Sequence, residues 1–217
     1  MTSRRGVLAA GLVAALVVGV VVLITADDDD DDADGGEAGA PAASGTAALP
    51  PTDLAALHDE LDPVFEPLGL RLTRGGLQRA AGDTAGGPRR HLALYVEPIT
   101  GEYAPAAYLG SLVTSTQAVL PLVFDRWPGL VSMDICQEPR PGVDDRDAPP
   151  PVTTVTVLHK HSDAIAWEAL DLPALLIADD ERLVDVYVQP AIEAEPEYAA
   201  ARQTADARAT QKPGTQR

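Results

Sequence analysis

LVSMDIC, residues 130–136, alternates strictly, with Val131, Met133 and Ile135 on one side and Ser132, Asp134 and Cys136 on the other. Period-two alternation sends the two sets to opposite faces of a strand, so the segment reads as a half-buried strand with one face toward a core. Immediately upstream, Leu109, Leu112, Val113, Leu120, Val123 and Trp127 recur at three- and four-residue intervals between Ala104 and Trp127. That spacing predicts an amphipathic helix, which Pro121 should bend or shorten. Upstream again, HLALYV at 91–96 predicts a strand. Downstream, residues 152–160 (VTTVTVLHK) predict another, with Val155 and Val157 on one face and Thr154, Thr156 and Leu158 on the other. Ser162 can cap a short helix through Leu170, and Asp171 a second through Ala178. The final strand is LVDVYV, residues 183–188.

From His91 onward the order is β-α-β-β-α-β. This resembles the ferredoxin-like motif, which implies a two-layer α+β domain with both helices on one face of a four-stranded antiparallel sheet. An extra helix and strand precede it. Thr52 can cap a helix whose stripe is Leu54, Leu57, Leu61 and Phe65, with Pro63 kinking or ending it. Residues 68–72 predict a short strand, followed by a loop containing Gly75, Gly76, Gly82, Gly86 and Gly87. The domain is therefore expected to span 52–190, with 191–217 as a polar, disordered tail that offers no apolar stripe for docking.

N-terminal to the domain, residues 27–51 contain Asp, Gly, Ala, Pro, Ser and Thr, with no large side chain before Leu49. Such a segment buries too little apolar surface to offset its ordering entropy, so it is expected to be a disordered spacer extended by its six consecutive aspartates. The run lacks the ordered spacing and turn glycine of a calcium loop. Residues 6–26 (GVLAAGLVAALVVGVVVLITA) carry no charge and no proline. At 1.5 Å per residue they reach roughly 30 Å, the thickness of a bilayer's hydrocarbon core. Arg4 and Arg5 precede this run, so the positive-inside rule puts residues 1–5 in the cytoplasm and the domain outside. The expected topology is a single-pass signal-anchor protein. Two alternatives are a cleaved secretory signal, for which the residues around Ala26 are a poor cleavage site, and a twin-arginine export signal suggested by Ser3-Arg4-Arg5.

Composition narrows the partners. The formal charge is −17, from 33 acidic and 16 basic residues. Phosphate binding needs a cationic face, so nucleic acid is not an expected partner, and the same argument opposes docking on anionic lipid headgroups. The single cysteine, Cys136, permits no intrachain disulfide and reads as a small buried hydrophobe. The chain has no Asn and only two lysines, a codon bias that suggests a GC-rich bacterial genome and hence a bacterial cell membrane.

Candidate chemistry is sparse. His159, His161 and Asp163 form His-x-His-x-Asp after a strand, which resembles the opening of the metallo-β-lactamase-type zinc motif. The resemblance covers five residues only. The motif continues with a histidine where this chain has Ala164, and it needs downstream histidines that are lacking here. Two histidines at i and i+2 on a strand would still point the same way and could share one metal. Asp134, Cys136 and Glu138 form a second face at period two. If the strands ending near Glu138 and starting near Val152 pair as a hairpin, the histidines lie about 20 Å from Glu138, too far to share a site. His161, Ser162 and Asp163 are consecutive and cannot converge as a nucleophilic triad. No phosphate loop, nucleophile elbow or paired-cysteine motif is present. The acidic, proline-rich segment 137–151 (QEPRPGVDDRDAPPP) is long for a strand connection and is a candidate recognition loop. Together these features predict a non-catalytic, membrane-anchored domain that binds a protein or another envelope component, with no cofactor and no small-molecule ligand. The alternative is an extracytoplasmic enzyme assisted by a metal at the histidines.

Overall fold

Leu57, Leu61 and Phe65 form the stripe that docks the first helix, and all three are fully buried in the computed structural model. The structure describes residues 47–80, 88–100, 104–139 and 149–211. The expected membrane segment 6–26 and nearly all of the spacer lie outside these residues. Helix α1 (Leu54–Phe65) is capped by Asp53, not Thr52, because the Asp53 carboxylate accepts a hydrogen bond from the Ala56 amide at 2.9 Å. Pro63 lies inside the helix without ending it. It removes one intrahelical donor, and burial of the neighbouring Leu61 and Phe65 holds the turn together.

Five strands follow: β1 (Leu70–Gln78), β2 (His91–Pro98), β3 (Ser132–Gln137), β4 (Thr153–Leu158) and β5 (Val184–Val188). Strand β1 is longer than expected and takes in Gly75 and Gly76. A Cβ on Gly75 would lie 3.1 Å from Leu94 Cδ2 and 3.6 Å from Leu57 Cδ1, so this glycine lets α1 approach the sheet closely.

The strands lie in sequential order β1-β2-β3-β4-β5. Strands β2 and β3 pair in parallel, from His91 beside Ser132 to Val96 beside Gln137, and every other neighbour is antiparallel. The sheet is therefore mixed, and the ferredoxin-like expectation is corrected in its pairing. That motif splits a β-α-β unit by inserting a third strand. Here β2 and β3 are in direct contact, the β3–β4 hairpin adds outward, and β5 returns beside β4 instead of crossing the sheet.

Helix α2 (Pro105–Arg126) joins β2 to β3 and continues past Pro121 as one helix. It is long and apolar enough to cross a membrane, yet more than half of its most apolar window is buried inside the domain. It packs on β3 and β4 as the central core helix. After β4 come two 3₁₀ turns, His159–Ala164 and Trp167–Ala169, in place of the helix expected from Ser162 to Leu170. Helix α3 (Leu172–Asp180) then begins at Asp171, whose carboxylate accepts from the Ala174 amide at 2.8 Å as the sequence predicts. One continuous core gathers Leu57, Leu61 and Phe65 of α1, Leu112, Leu120 and Val123 of α2, and Leu175 of α3. Leu92, Leu94, Met133, Ile135, Val155 and Val157 of the sheet complete it. The described helices thus cover one face of the sheet.

The expected tail is corrected too. Helix α4 (Pro190–Glu193) and helix α5 (Pro196–Gln211) continue the domain. Ala201 and Ala205 of α5 are buried against Leu176 of α3, so two small residues replace the missing stripe of large ones. Arg202 is paired with Asp180, and Arg208 grips Asp171 with both terminal nitrogens at 2.8 Å. At the other boundary, the domain begins before residue 52. The Gly129 amide donates to Ala48 O at 2.9 Å, and Pro50 is buried.

Candidate functional site

The sheet face opposite the helices carries a group of polar side chains. Strand register sets it: Tyr95 of β2 neighbours Cys136 of β3, which neighbours Thr154 of β4, and Thr154 neighbours Tyr187 of β5. One row along, Asp134 lies between Ala93 and Thr156, and one further row places His91 beside Ser132.

At one end of this face Glu138 is 4 % exposed and fully engaged. Arg74 Nε donates to its Oε1 at 2.7 Å and Thr73 Oγ1 to its Oε2 at 2.7 Å. The register shift between Leu72 and Arg74 makes this arrangement, because an extra residue in β1 turns Thr73 and Arg74 together toward Glu138. The Arg74 guanidinium also lies 3.8 Å above the Tyr95 ring, so one side chain closes both an ion pair and a cation–π contact. Burial, with the carboxylates and Cys136 nearby, raises the Tyr95 hydroxyl above its usual pKa, and Arg74 opposes that shift.

Cys136 lies beneath this group at 4 % exposure. Burial pushes its thiol up to about 11, only partly offset by a hydrogen bond with Thr154. At neutral pH it is a protonated thiol, and among the described residues the histidines bond elsewhere, to Asp62, Ser132, Asp134 and the Leu130 and Leu183 carbonyls. The arrangement opposes nucleophilic or metal-ligand chemistry at Cys136, since both require the thiolate.

At the other end His91 joins two residues of β3. Its Nδ1 lies 2.9 Å from Ser132 Oγ and its Nε2 3.0 Å from Asp134 Oδ2. Asp134 Oδ1 is buried and has no partner among the described residues. The sequence placed Asp134 on this face but gave no sign of His91, because single-strand alternation cannot show that β2 runs parallel beside β3. The set has the connectivity of a serine–histidine–aspartate relay. Ser132, however, is only 4 % exposed, so its hydroxyl is shielded from a substrate.

His159 and His161 do not form the expected pair. Strand β4 ends at Leu158, and both residues lie on a 3₁₀ turn, where positions two apart diverge by roughly 240° instead of aligning. The His159 ring stacks on Phe124 with centroids 4.6 Å apart, and its Nδ1 bonds to Leu130 O at 2.9 Å. His161 Nδ1 reaches Leu183 O at 3.3 Å, while Asp163 is exposed. Among the described residues no group of three His, Cys, Asp or Glu side chains is placed to hold a metal. The hairpin register, Ser132 beside Leu158 and Gln137 beside Thr153, puts His159 and Glu138 at opposite ends of the strands, as the spacing predicted. Most of the recognition-loop candidate, residues 140–148, lies outside the described residues. Its anchoring ends, Glu138 and Pro149, meet at Arg74, which also donates to Pro149 O at 3.4 Å.

Comparison with protein-family models, curated proteins and solved structures finds no match for this chain.

Proposed function

We propose that this chain is a single-pass membrane protein whose extracytoplasmic domain is a non-catalytic binding module. In this reading it engages a protein or another envelope component through the open face of its sheet. The supporting observation is the chemistry of that face. Arg71, Arg74 and His91 are taken up by Glu97, Glu138 and Asp134, the thiol is protonated and buried, and Tyr187 stands 49 % exposed beside exposed Asp185 and half-buried Thr154 and Thr156. A tyrosine with one polar tip and a large apolar ring, flanked by β-branched residues, is suited to contact and supplies no reacting group. The apolar run at 6–26, the arginines before it and the acidic spacer after it support the anchor and its orientation.

The test replaces Tyr187 with a photo-crosslinking phenylalanine analogue in the full chain, in its own membranes. A discrete adduct from position 187, absent when the analogue replaces Leu54 on the helical side, is the expected result. No adduct at 187 would overturn the assignment of the face.

The hydrogen-bonded set Ser132–His91–Asp134 favours a second reading, an extracytoplasmic hydrolase. A fluorophosphonate that labels Ser132, with labelling lost in His91→Gln, would establish it in place of the binding module. The low exposure of Ser132 supports the opposite result, no labelling.

A further inference from the structure

Two buried side-chain atoms with no hydrogen-bond partner among the described residues belong to neighbours, Gln137 Nε2 and Thr153 Oγ1. Gln137 is the last residue of β3 and pairs in register with Thr153, the first of β4, and both are fully buried. Paired residues share a face, with Cβ atoms about 5 Å apart. This face is the helical one, because the next pair along it, Ile135 and Val155, belongs to the core. Ser111 of α2 meets Gln137 there, with its Oγ 3.1 Å from Gln137 Oε1 and 3.4 Å from Tyr108 O.

A count of protons shows that these side chains do not satisfy one another. Ser111 has one hydroxyl proton and can donate it to Gln137 or to Tyr108, but not to both. If it donates to Gln137 Oε1, the protons of Nε2 stay open. If the amide is turned over, Nε2 donates to Ser111 Oγ, Ser111 donates to Tyr108 O, and Gln137 Oε1 stays open. Either way, one end of the amide and the Thr153 hydroxyl each lack a partner, at the full cost of their lost hydration. The neighbouring hydroxyls of α2 are already engaged, since Ser115 and Thr116 bond to Leu112 O at 3.2 and 2.6 Å. Ser111, Gln137 and Thr153 are all neutral, so an ion among them would be buried uncompensated. The group that suits them is small and neutral, and both donates and accepts.

We infer that a single water binds between Gln137, Thr153 and Ser111. It serves the two open groups and finds a third partner in the lone pairs of Ser111 Oγ, which gives it the roughly three hydrogen bonds usual for a buried water. The water pins the stems of the acidic 137–151 segment, because Gln137 is where the chain leaves β3 and Thr153 is where it enters β4. Direct bonds hold the same stems: the Val152 amide donates to Gln137 O at 2.7 Å, and Gln189 Nε2 donates to Pro151 O at 2.9 Å. The site requires neither a membrane nor a partner and stands apart from the proposed binding function.

The sign of one isosteric change tests it. Thr153→Val, in the full chain in neutral detergent, keeps the shape of the side chain and removes the hydroxyl. With the water bound, the change takes away one of its partners, and the melting temperature should fall by a few degrees. An unhydrated hydroxyl is instead a net cost, so an unchanged or raised melting temperature would overturn the site. A second measurement needs no variant. In the isotopically labelled chain in perdeuterated detergent, the side-chain amide protons of Gln137 should show a nuclear Overhauser effect with the sign of a long-lived water. Absence of that effect in the unaltered chain would overturn the site, whatever Thr153→Val does to folding.

Discussion

Cys136 shows how a single side chain ties the packing of the sheet to pH. Its thiol is raised from 9.0 to about 11, chiefly by burial. The folded state therefore keeps a proton that the unfolded chain releases between those values. Unfolding then releases a proton, so stability falls as pH rises from about 9 to about 11, by an amount on the order of 2–3 kcal/mol. Equilibrium unfolding across this range should show the loss, and Cys136→Ala should remove it. At pH 8 a thiol reagent should react on the order of a hundredfold more slowly with the folded chain than with the unfolded one, because the thiolate fractions differ by about that factor. Rapid labelling of the folded chain would contradict the buried geometry. Gly129 is the second informative residue. In Gly129→Ala the Cβ would collide with the carbonyls of Ala47 and Ala48 and break the hydrogen bond to Ala48 O. We expect a loss of roughly 1–3 kcal/mol, with new protease cleavage near residues 47–50 while the sheet stays intact. The sequence reads Cys136 as a small buried hydrophobe but does not show how far burial moves its thiol, and it does not single out Gly129 at all.

Elements were legible where large apolar residues repeat, and obscure where small or charged residues do the docking. The stripe of α1, the length of α2 and the alternating faces of β3, β4 and β5 all follow from period. Helix α5 does not, because Ala201 and Ala205 leave no apolar signature and its attachment depends on Arg202 and Arg208 meeting acids of another element. The edge strand β5 hides a similar contact: Asp179 of α3 accepts a hydrogen bond from the Val186 amide at 2.9 Å. Burial raises this carboxyl above its usual range, with Asp185 and Asp180 adding repulsion. An acid whose folded pKa is raised holds its proton longer when folded, so its contribution to stability is present below the unfolded value and is lost as pH rises through the folded one. Above the unfolded value, ionising Asp179 is thus a net cost to the folded state. Asp179→Asn keeps an acceptor for Val186 and removes the charge, so it should raise the melting temperature at pH 7. That gain should vanish near pH 3, where the native carboxyl is already neutral, and an equal gain at both pH values would reject the electrostatic account.

At the scale of the molecule, the α+β class was legible and the strand order was not, since alternation assigns each strand two faces but names no neighbour. The same gap hid His91 beside Asp134. With the order known, the two ends of the sheet differ: Ala48 is seated at the turn before β3, whereas Glu138 and Pro149 meet Arg74 at the other end of that strand. The proposed anchor is testable by its consequences. If residues 6–26 stay in the bilayer with Arg4 and Arg5 inside, the full chain should resist alkaline carbonate extraction. Protease added outside intact spheroplasts should then release a fragment beginning within the spacer, near Ala40, and ending at the C-terminus. Reversing the flanking charge with Arg4→Glu and Arg5→Glu should shift a measurable fraction of the chains to a protected orientation, because the arginines set which side is retained. A soluble mature protein beginning at Asp27 would instead identify a cleaved signal, leaving the domain extracytoplasmic but free of the membrane.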